Sequence, residues 1–303
     1  MTALATATPN TAAPVVPAEG TARMPDGTTL RTLHWAPAGE PWAAALIVHG
    51  LGEHAGRYGT VAAALTAAGI DTFGYDHRGF GGSSGHRAYI DRWSQFHDDL
   101  AARLLALRAE RPGLPVVMYG HSMGGLIACG YVLSGVDRPL PDLLVLSAPG
   151  IDADQPAWKK KLAAMLRGVA PRMRLSNGLA DDGLSRDPEV RRKADADPLC
   201  MNTSTVRFGA EAFAEQDRMM ALLPGLTAMP VPTYVFHGRA DPIVPVGVSG
   251  VFEGKGNVTR RVHEGLRHEC HHEPEHEAVL AEVVAWIRVQ VPAAAVGASA
   301  TGV

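Results

Sequence analysis

The feature that most constrains this chain is the pentapeptide Gly120-His121-Ser122-Met123-Gly124, which has the form G-x-S-x-G. It follows the apolar run Val116–Tyr119 and precedes small and apolar residues, so the pattern predicts a strand, a tight turn and a helix. Such a turn strains the backbone of its serine. It also leaves no room for a large side chain at the position two residues before the serine or two residues after it. The alternative is an ordinary loop, since 33 of the 303 residues are glycine, but both flanks favour the strand–turn–helix interpretation.

Composition narrows the class of protein. A chain of 303 residues can bury one large core, and 46% hydrophobic with 19% charged residues is typical of a globular domain. The net charge of −3 gives no general attraction to nucleic acid. Three cysteines, Cys129, Cys200 and Cys270, form no disulfide framework and suit a reducing compartment. No apolar run reaches the ~20 residues needed to span a bilayer, so we expect a soluble cytoplasmic protein.

Buried strands alternate with helices along the chain, which predicts an α/β fold with a mostly parallel sheet and helices on both faces. The predicted strands are two within Thr21–Trp35, then Ala43–Val48, Ile70–Tyr75, Val116–Tyr119, Leu143–Ser147, Thr233–Phe236 and Val258–Val262. In such sheets the chemistry lies in loops at the carboxyl ends of the strands. We assign residues 21–150 and 207–291 to this core, 1–20 to a disordered leader and 292–303 to a flexible tail.

Residues 151–206 lie between two predicted core strands and show no strand pattern of their own. Connections in compact domains have a median length of ~4–6 residues, so this segment is interpreted as an inserted lid. One helical face within it is apolar and is surrounded by basic residues; the apolar residues are Trp158, Leu162, Met165, Leu166 and Val169, and the basic ones are Lys159, Lys160, Lys161 and Arg167. Two interpretations remain open: the face covers an active site, or it lies on a membrane or lipid aggregate.

A serine hydroxyl is a poor nucleophile and needs a histidine base that is oriented by an acid. In the α/β-hydrolase fold, which the strand–turn–helix pattern indicates, the chain order is serine, acid, histidine. Asp241 is the best-placed acid because it follows a predicted strand and a small turn. The other acids considered lie in the predicted lid, where the simpler interpretation is that they are solvated surface charges: Asp181, Asp182, Asp187, Asp195 and Asp197.

The base is predicted to be His268, which lies in the loop between the last strand and the closing helix. His271 is the second choice, while His263, His272 and His276 qualify by chain order alone. Acyl transfer also needs two donors for the oxyanion. We predict the backbone N–H groups of Met123, directly after the serine, and of Leu51, in the glycine-rich loop after the third strand.

The same histidines also suggest an alternative to the serine hydrolase, namely catalysis by a metal ion. His268–His272 matches H-E-x-x-H, the signature of zinc proteases, and His272–His276 matches it again. That chemistry needs both histidines on one helical turn, and Pro274 interrupts such a helix. We therefore predict no metal and no cofactor. The loop Gly79–Gly85 does not fit a dinucleotide fingerprint, because Ser84 takes the place of its last glycine.

Assembled, these segments resemble the monoacylglycerol lipase family of serine α/β-hydrolases, often labelled lysophospholipases in bacteria. The matching motifs are His49-Gly50-Leu51-Gly52-Glu53-His54 with Arg57-Tyr58, Asp76-His77-Arg78-Gly79 with Gly81 and Ser83, Gly120–Gly125, Ser147-Ala148-Pro149, Asp197-Pro198-Leu199, His237–Asp241 and His268–His271. The resemblance implies the triad Ser122, Asp241 and His268, with Leu51 and Met123 in the oxyanion hole. It further implies that Glu53, Arg57 and His271 lie near the glycerol end of the substrate, although Glu53 and Arg57 could instead form a local ion pair.

The expected activity is hydrolysis of monoacylglycerols through an acyl-enzyme on Ser122, with a small lipid as the partner. A lysophospholipase or broad carboxylesterase with the same triad is the alternative among enzymes. A lipid-binding module on a hydrolase scaffold is the alternative outside them. Peripheral contact of the lid with membranes is a further hypothesis, and the sequence does not indicate an oligomeric state.

Overall fold

The computed structural model describes residues 16–152, 155–178 and 183–291. The strands are β1 (Ala18–Arg23), β2 (Thr29–Trp35), β3 (Ala43–Val48), β4 (Ile70–Tyr75), β5 (Val116–His121), β6 (Leu143–Ser147), β7 (Arg174–Ser176), β8 (Thr203–Thr205), β9 (Thr233–Gly238) and β10 (Val258–His263). The helices are α1 (Gly59–Ala67), α2 (Ser94–Glu110), α3 (Met123–Val132), α4 (Ala157–Val169), α5 (Pro188–Ala196), α6 (Val206–Leu222) and α7 (His276–Gln290). Residues 1–15 of the predicted leader, the predicted tail 292–303, and Asp181 and Asp182 lie outside the described residues.

Within the described residues, eight strands form one sheet in the order β1-β2-β4-β3-β5-β6-β9-β10. The β1–β2 and β2–β4 pairs are antiparallel and the remaining pairs are parallel. This topology confirms the predicted fold class. One boundary differs: Ala18 and Gly20 pair with His34 and Thr32, so the sheet begins three residues before the predicted start of the core.

Alternation along β3 shows how the sheet is stabilised. Ala44, Leu46 and Val48 pack on one face with residues of α2, α3 and α6. The intervening residues of β3 pack on the other face with α1 and α7. Both faces of the strand are buried, as expected for a central parallel strand. Each large aliphatic side chain buried in this way contributes about 1.5–3 kcal/mol.

The strand order reverses between β3 and β5. From β3 the chain moves outward to β4, and it then returns to pair β5 on the opposite side of β3. Loops that leave the carboxyl ends of strands at such a reversal diverge and leave a crevice between them. The loop that begins at His49 and the turn at Ser122 therefore lie side by side.

The segment between β6 and β9 lies outside the large sheet. The sequence of this segment shows no strand pattern, yet β7 and β8 pair antiparallel over three residues each. Strands of that length are too short to show an alternating pattern. Helix α4 was predicted correctly as amphipathic, yet none of its residues is buried: Trp158, Met165 and Val169 are 62%, 63% and 81% exposed. Among the described helices, none combines the length and apolar character that crossing a membrane requires.

Candidate active site

Ser122 occupies the turn between β5 and α3 with φ 53° and ψ −117°. A positive φ is costly for a residue with a Cβ and persists only where the surroundings enforce it. The neighbouring glycines are required by close packing. A Cβ on Gly124 would lie 1.9 Å from the carbonyl oxygen of Val48, and one on Gly120 would lie 2.6 Å from that of Gly124. The predicted strained turn is confirmed.

Asp241 and His268 meet across two loops that follow β9 and β10. Nδ1 of His268 lies 2.7 Å from Oδ2 of Asp241. The other carboxylate oxygen accepts backbone N–H groups from Ile243 at 2.8 Å and Val244 at 2.9 Å. The predicted acid and the predicted base are therefore in contact, and both follow Ser122 in the chain in the expected order. Since Nδ1 is held by the carboxylate, Nε2 is the nitrogen of His268 left to exchange a proton with substrate-side groups.

The environment of Asp241 favours its ionised form. Burial alone would raise the pKa of this carboxyl, but the charge of His268 and hydrogen bonds from His237, His268 and the amide of Val244 outweigh it and hold the pKa below its ordinary value. His237, on β9, was not predicted as part of the site. Its Nε2 lies 3.0 Å from Oδ2 of Asp241 and 2.9 Å from the carbonyl oxygen of Val244. Because a carbonyl only accepts, Nε2 carries the hydrogen there. The sequence signal that could have identified His237 was its place in the motif His237-Gly238-Arg239-Ala240-Asp241.

Ser122 and His268 line the same cavity, which has a volume of about 320 Å³. Gly50 and Leu51 line it from the loop after β3. The N–H of Gly50 is bonded to Oε1 of Glu53 at 2.6 Å and is therefore not the donor, while the amide of Leu51 remains the predicted one. Met123 is the first residue of α3, so its amide has no carbonyl partner one turn earlier in the helix. The insertion completes the cavity with residues that include Asn177, Leu184 and Asp195.

Glu53 and Arg57 line the cavity. They also form the ion pair that was the alternative interpretation of these two residues. Arg57 makes a second, bidentate contact to Glu269, at 2.9 and 2.8 Å. Burial opposes the charge of Arg57, but the two carboxylates raise its pKa well above its ordinary value. Glu269 also lines the cavity and was missed; its position next to His268 was the available signal.

The implied contact of His271 with the alcohol is not supported, and this position requires a correction. The ring of His271 is fully buried and is not among the residues lining the cavity. It stacks on Tyr58 at 5.3 Å between ring centroids and meets His121 edge-on at 4.7 Å. Burial, followed by the charges of His272 and His121, lowers its pKa well below the ordinary value. His271 therefore packs against Tyr58 and His121 as a neutral ring.

The zinc-protease alternative does not match the local geometry. Residues Cys270–His272 form a single 3₁₀ turn, so His268 and His272 do not share the face of an α-helix. The ring of His272 is engaged at both nitrogens, by Glu269 at 2.7 Å and by the carbonyl of Arg57 at 3.0 Å. The glutamate of the motif is bound to Arg57 rather than directed at a metal-bound water.

The insertion is joined to the core beside the cavity. Nε2 of His54 lies 2.8 Å from Oδ2 of Asp197, within the Asp197-Pro198-Leu199 motif. The amide of Met201 donates to the carbonyl of Gly52 at 2.7 Å, and a Cβ on Gly52 would lie 2.2 Å from the carbonyl oxygen of Met201. Asp197 is thus an anchor between the insertion and the core rather than a candidate for the triad.

The chain is similar to known hydrolases over most of its length. Residues 39–275 match the family model described as serine aminopeptidase, S33. The monoacylglycerol lipase of Mycolicibacterium smegmatis is 34% identical over 259 residues, which cover 84% of this chain and 90% of that protein. The human monoglyceride lipase is 33% identical over 276 residues, covering 86% of this chain and 88% of that protein.

Among solved structures, the monoacylglycerol lipase of Paleococcus ferrophilus superposes with a TM-score of 0.72 at 28% identity, covering 84% of this chain and 97% of that one. The extent of these matches and the shared fold confirm the resemblance drawn from the motifs. The chain belongs to the serine aminopeptidase, S33, family of α/β-hydrolases.

Proposed function

We propose that this protein is a serine ester hydrolase that cleaves monoacylglycerols to fatty acid and glycerol. The observation that carries the proposal is the 2.7 Å contact of His268 with Asp241, together with the cavity that His268 and Ser122 both line, Ser122 standing at its strained turn. An acid, a base and a nucleophile in this relation are the requirement for acyl transfer. Relatives named as monoacylglycerol lipases support the choice of substrate.

In this mechanism His268 takes the proton of the Ser122 hydroxyl as its oxygen attacks the ester carbonyl. Asp241 orients the ring and stabilises the imidazolium that forms. The amides of Leu51 and Met123 bind the oxyanion, and His268 passes the proton to the departing glycerol oxygen. Water then attacks the acyl-enzyme with His268 as base, which releases the fatty acid and restores the serine.

Glu53 and Arg57 are assigned to the polar end of the cavity, where they face the free hydroxyl groups of the glycerol. Both line the cavity and both are charged, so they can accept from and donate to hydroxyls. A carboxylate bound to an arginine keeps further lone pairs for a ligand. We assign no alcohol contact to His271.

The insertion is proposed to act as a lid that also contacts membranes or lipid aggregates. Residues of α5 and of the loops beside β7 and β8 cover the cavity, whereas α4 leaves its apolar face exposed. That face carries Trp158 and Met165 with Lys159 and Lys161 beside them. An apolar face flanked by lysines is suited to a lipid surface, from which the substrate would be drawn.

The deciding experiment compares wild type with Ser122→Ala. We expect the variant to fold normally but to lose turnover of both monoacylglycerol and a chromogenic ester, and to resist a fluorophosphonate probe that labels the wild type. Retained turnover by a folded variant, or a wild type that neither turns over esters nor reacts with the probe, would leave the lipid-binding alternative in place.

A further inference from the structure

Glu269 is the residue at which three parts of the site meet. Its carboxylate accepts from both terminal nitrogens of Arg57, at 2.9 and 2.8 Å, and from Nδ1 of His272 at 2.7 Å. Its backbone N–H donates to the carbonyl of Leu184 in the insertion, at 2.7 Å. The residue is 2% exposed and directly follows His268 in the chain. Its contacts therefore join the loop of the base to the insertion and to the segment that carries Arg57.

The connection continues from Arg57 to the oxyanion loop. Arg57 also donates to one oxygen of Glu53. The other oxygen of Glu53 accepts from the amide of Gly50 and from the hydroxyl of Tyr58, each at 2.6 Å. Gly50 immediately precedes Leu51, whose amide is assigned to the oxyanion. Two ion pairs in series thus link the residue after the base to the residue before the oxyanion donor.

Charge keeps this connection in place. Burial would raise the pKa of Glu269, but Arg57 and the hydrogen bond from His272 hold it well below its ordinary value. His272 faces the carboxylate of Glu269 on one side and the carbonyl of Arg57 on the other, and neither acceptor has a hydrogen to give. Arg57 therefore lies between two carboxylates, those of Glu53 and Glu269, in a buried network.

We propose that Glu269 is a positioning residue that holds the oxyanion loop at a fixed distance from His268. The proposal rests on the proposed function, since it assigns a task within the same acyl transfer. Its physical reason is that a bidentate arginine–carboxylate pair is directionally rigid, while acyl transfer needs its donors and base held to within about 0.5 Å. The carboxylate of Glu269 contacts Arg57 and His272, and we assign its role to these contacts. Contact with the alcohol is the alternative that the test distinguishes.

The test is Glu269→Gln, which keeps the size of the side chain but removes its charge and its bidentate pair. Turnover is measured on a monoacylglycerol and on 4-nitrophenyl butyrate, whose leaving group has no glycerol hydroxyls. Displacement of the loop by a fraction of an ångström is expected to lower kcat about 10- to 100-fold. The fall should be equal for both esters, and KM should change less than about threefold, because the oxyanion hole is common to both.

Asp99→Asn is the matched control. Asp99 forms an equally buried, bidentate pair with Arg78, at 2.7 and 2.6 Å, on α2 and outside the cavity. We expect this variant to lower the unfolding temperature while kcat of the folded enzyme stays unchanged, which separates loss of a buried ion pair from loss of positioning.

A second pair of variants serves if Glu269→Gln does not fold. His272 does not line the cavity, so its effect on turnover must be indirect. His272→Leu removes both hydrogen bonds and should lower kcat for both esters, whereas His272→Asn keeps a donor near the Nδ1 position and should retain more of the rate.

The outcomes are distinct. Unchanged kcat for both esters in folded Glu269→Gln would overturn the inference, and so would a loss confined to KM for the monoacylglycerol, which would make Glu269 an alcohol ligand. Either result leaves the proposed function intact if wild type is active and Ser122→Ala is not. A wild-type protein that hydrolyses neither ester would instead contradict the proposed function itself.

Discussion

Oδ2 of Asp241 accepts from two imidazoles at once, Nδ1 of His268 at 2.7 Å and Nε2 of His237 at 3.0 Å. His237 and the backbone of the loop that carries Asp241 therefore hold the carboxylate in place independently of His268. A base held by a fixed acid presents one tautomer and one ring orientation to the nucleophile. The first prediction follows from this fixed orientation.

Asp241→Asn should lower kcat by about 10³–10⁴-fold, because an amide can donate to Nδ1 and so stabilise the wrong tautomer of His268. The measurement is steady-state hydrolysis of a chromogenic ester by the folded variant. Asp187→Asn is the control: Asp187 was an alternative acid, but its carboxylate caps α5 by accepting from the amide of Glu189 at 2.9 Å. Asparagine caps helices equally well, so this variant should retain wild-type turnover. Comparable losses in both would contradict the assignment of Asp241.

The glycines beside Ser122 give a second prediction. Gly124→Ala would place a Cβ 1.9 Å from the backbone of Val48, so the turn must distort, and we expect turnover and stability both to fall sharply. Gly209→Ala is the matched control because a Cβ at Gly209, within α6, meets nothing within 4 Å. It should stabilise the protein by about 0.5–1 kcal/mol without changing turnover. Thermal unfolding with esterase assays checks both; wild-type activity in Gly124→Ala would show that the turn tolerates a side chain.

Much of this site was predictable because its parts are local in sequence. The strained turn was predicted from Gly120, Ser122 and Gly124 because steric exclusion there acts within five residues of the chain. The α/β fold followed from strands that are buried on both faces and therefore read as continuous apolar runs. Ile70–Tyr75 and Leu143–Ser147 were predicted with the bounds that the structure shows.

The remaining features depend on contacts between distant segments, which no local pattern encodes. Arg57 and Glu269 are 212 residues apart, so their pairing was not predictable although both lie in recognised motifs. The burial of His271 is set by Tyr58, from the turn before α1, and by His121, at the end of β5. The strands β7 and β8 exist only because each pairs the other, and three residues carry no usable periodicity.

Buried neutral histidines lead to a prediction on acid stability. Burial, with the charges of Arg218 and Arg138, lowers the pKa of His97 to about 3. In the unfolded chain histidine binds its proton near pH 6.5. Between these values the unfolded state holds one more proton, so stability is complete above about pH 6.5 and falls as pH decreases, by about 1.4 kcal/mol per pH unit for this residue.

His97→Gln, which cannot bind that proton, should therefore reduce the slope of unfolding free energy against pH by about 1.4 kcal/mol per unit between roughly pH 4 and 6. Denaturant titrations at several pH values measure the slope. The comparison is between slopes, so a uniform loss of stability in the variant does not affect it. Equal slopes in variant and wild type would show that His97 does not carry this linkage.

The alcohol end of the cavity is tested by Glu53→Gln. The amide oxygen can still accept from Gly50, but the ion pair with Arg57 and the charge proposed to face the glycerol are lost. Loss of that ion pair should lower kcat equally for all esters, so the prediction concerns KM. We expect KM for a monoacylglycerol to rise several-fold more than KM for 4-nitrophenyl butyrate, since only the first has hydroxyls to bind. Lysophosphatidylcholine is assayed alongside as a third ester, whose leaving group carries a phosphate. Equal changes in KM for all three esters would remove Glu53 from the alcohol pocket.

The exposed face of α4 provides the last prediction. Transfer of large apolar side chains from water into the lipid interface stabilises the bound state, so replacing Trp158 and Met165 together by serine should weaken binding to phospholipid vesicles about tenfold or more. Vesicle flotation measures binding, and turnover of soluble 4-nitrophenyl butyrate should be unchanged because α4 does not line the cavity. Leu105→Ser is the control, since Leu105 is 54% exposed on α2, away from the insertion. If the control weakens vesicle binding as much as the double variant, or if neither changes it, α4 is not the contacting surface. If only the double variant loses binding, and turnover of monoacylglycerol in vesicles falls with it, the insertion delivers substrate from the lipid surface to Ser122.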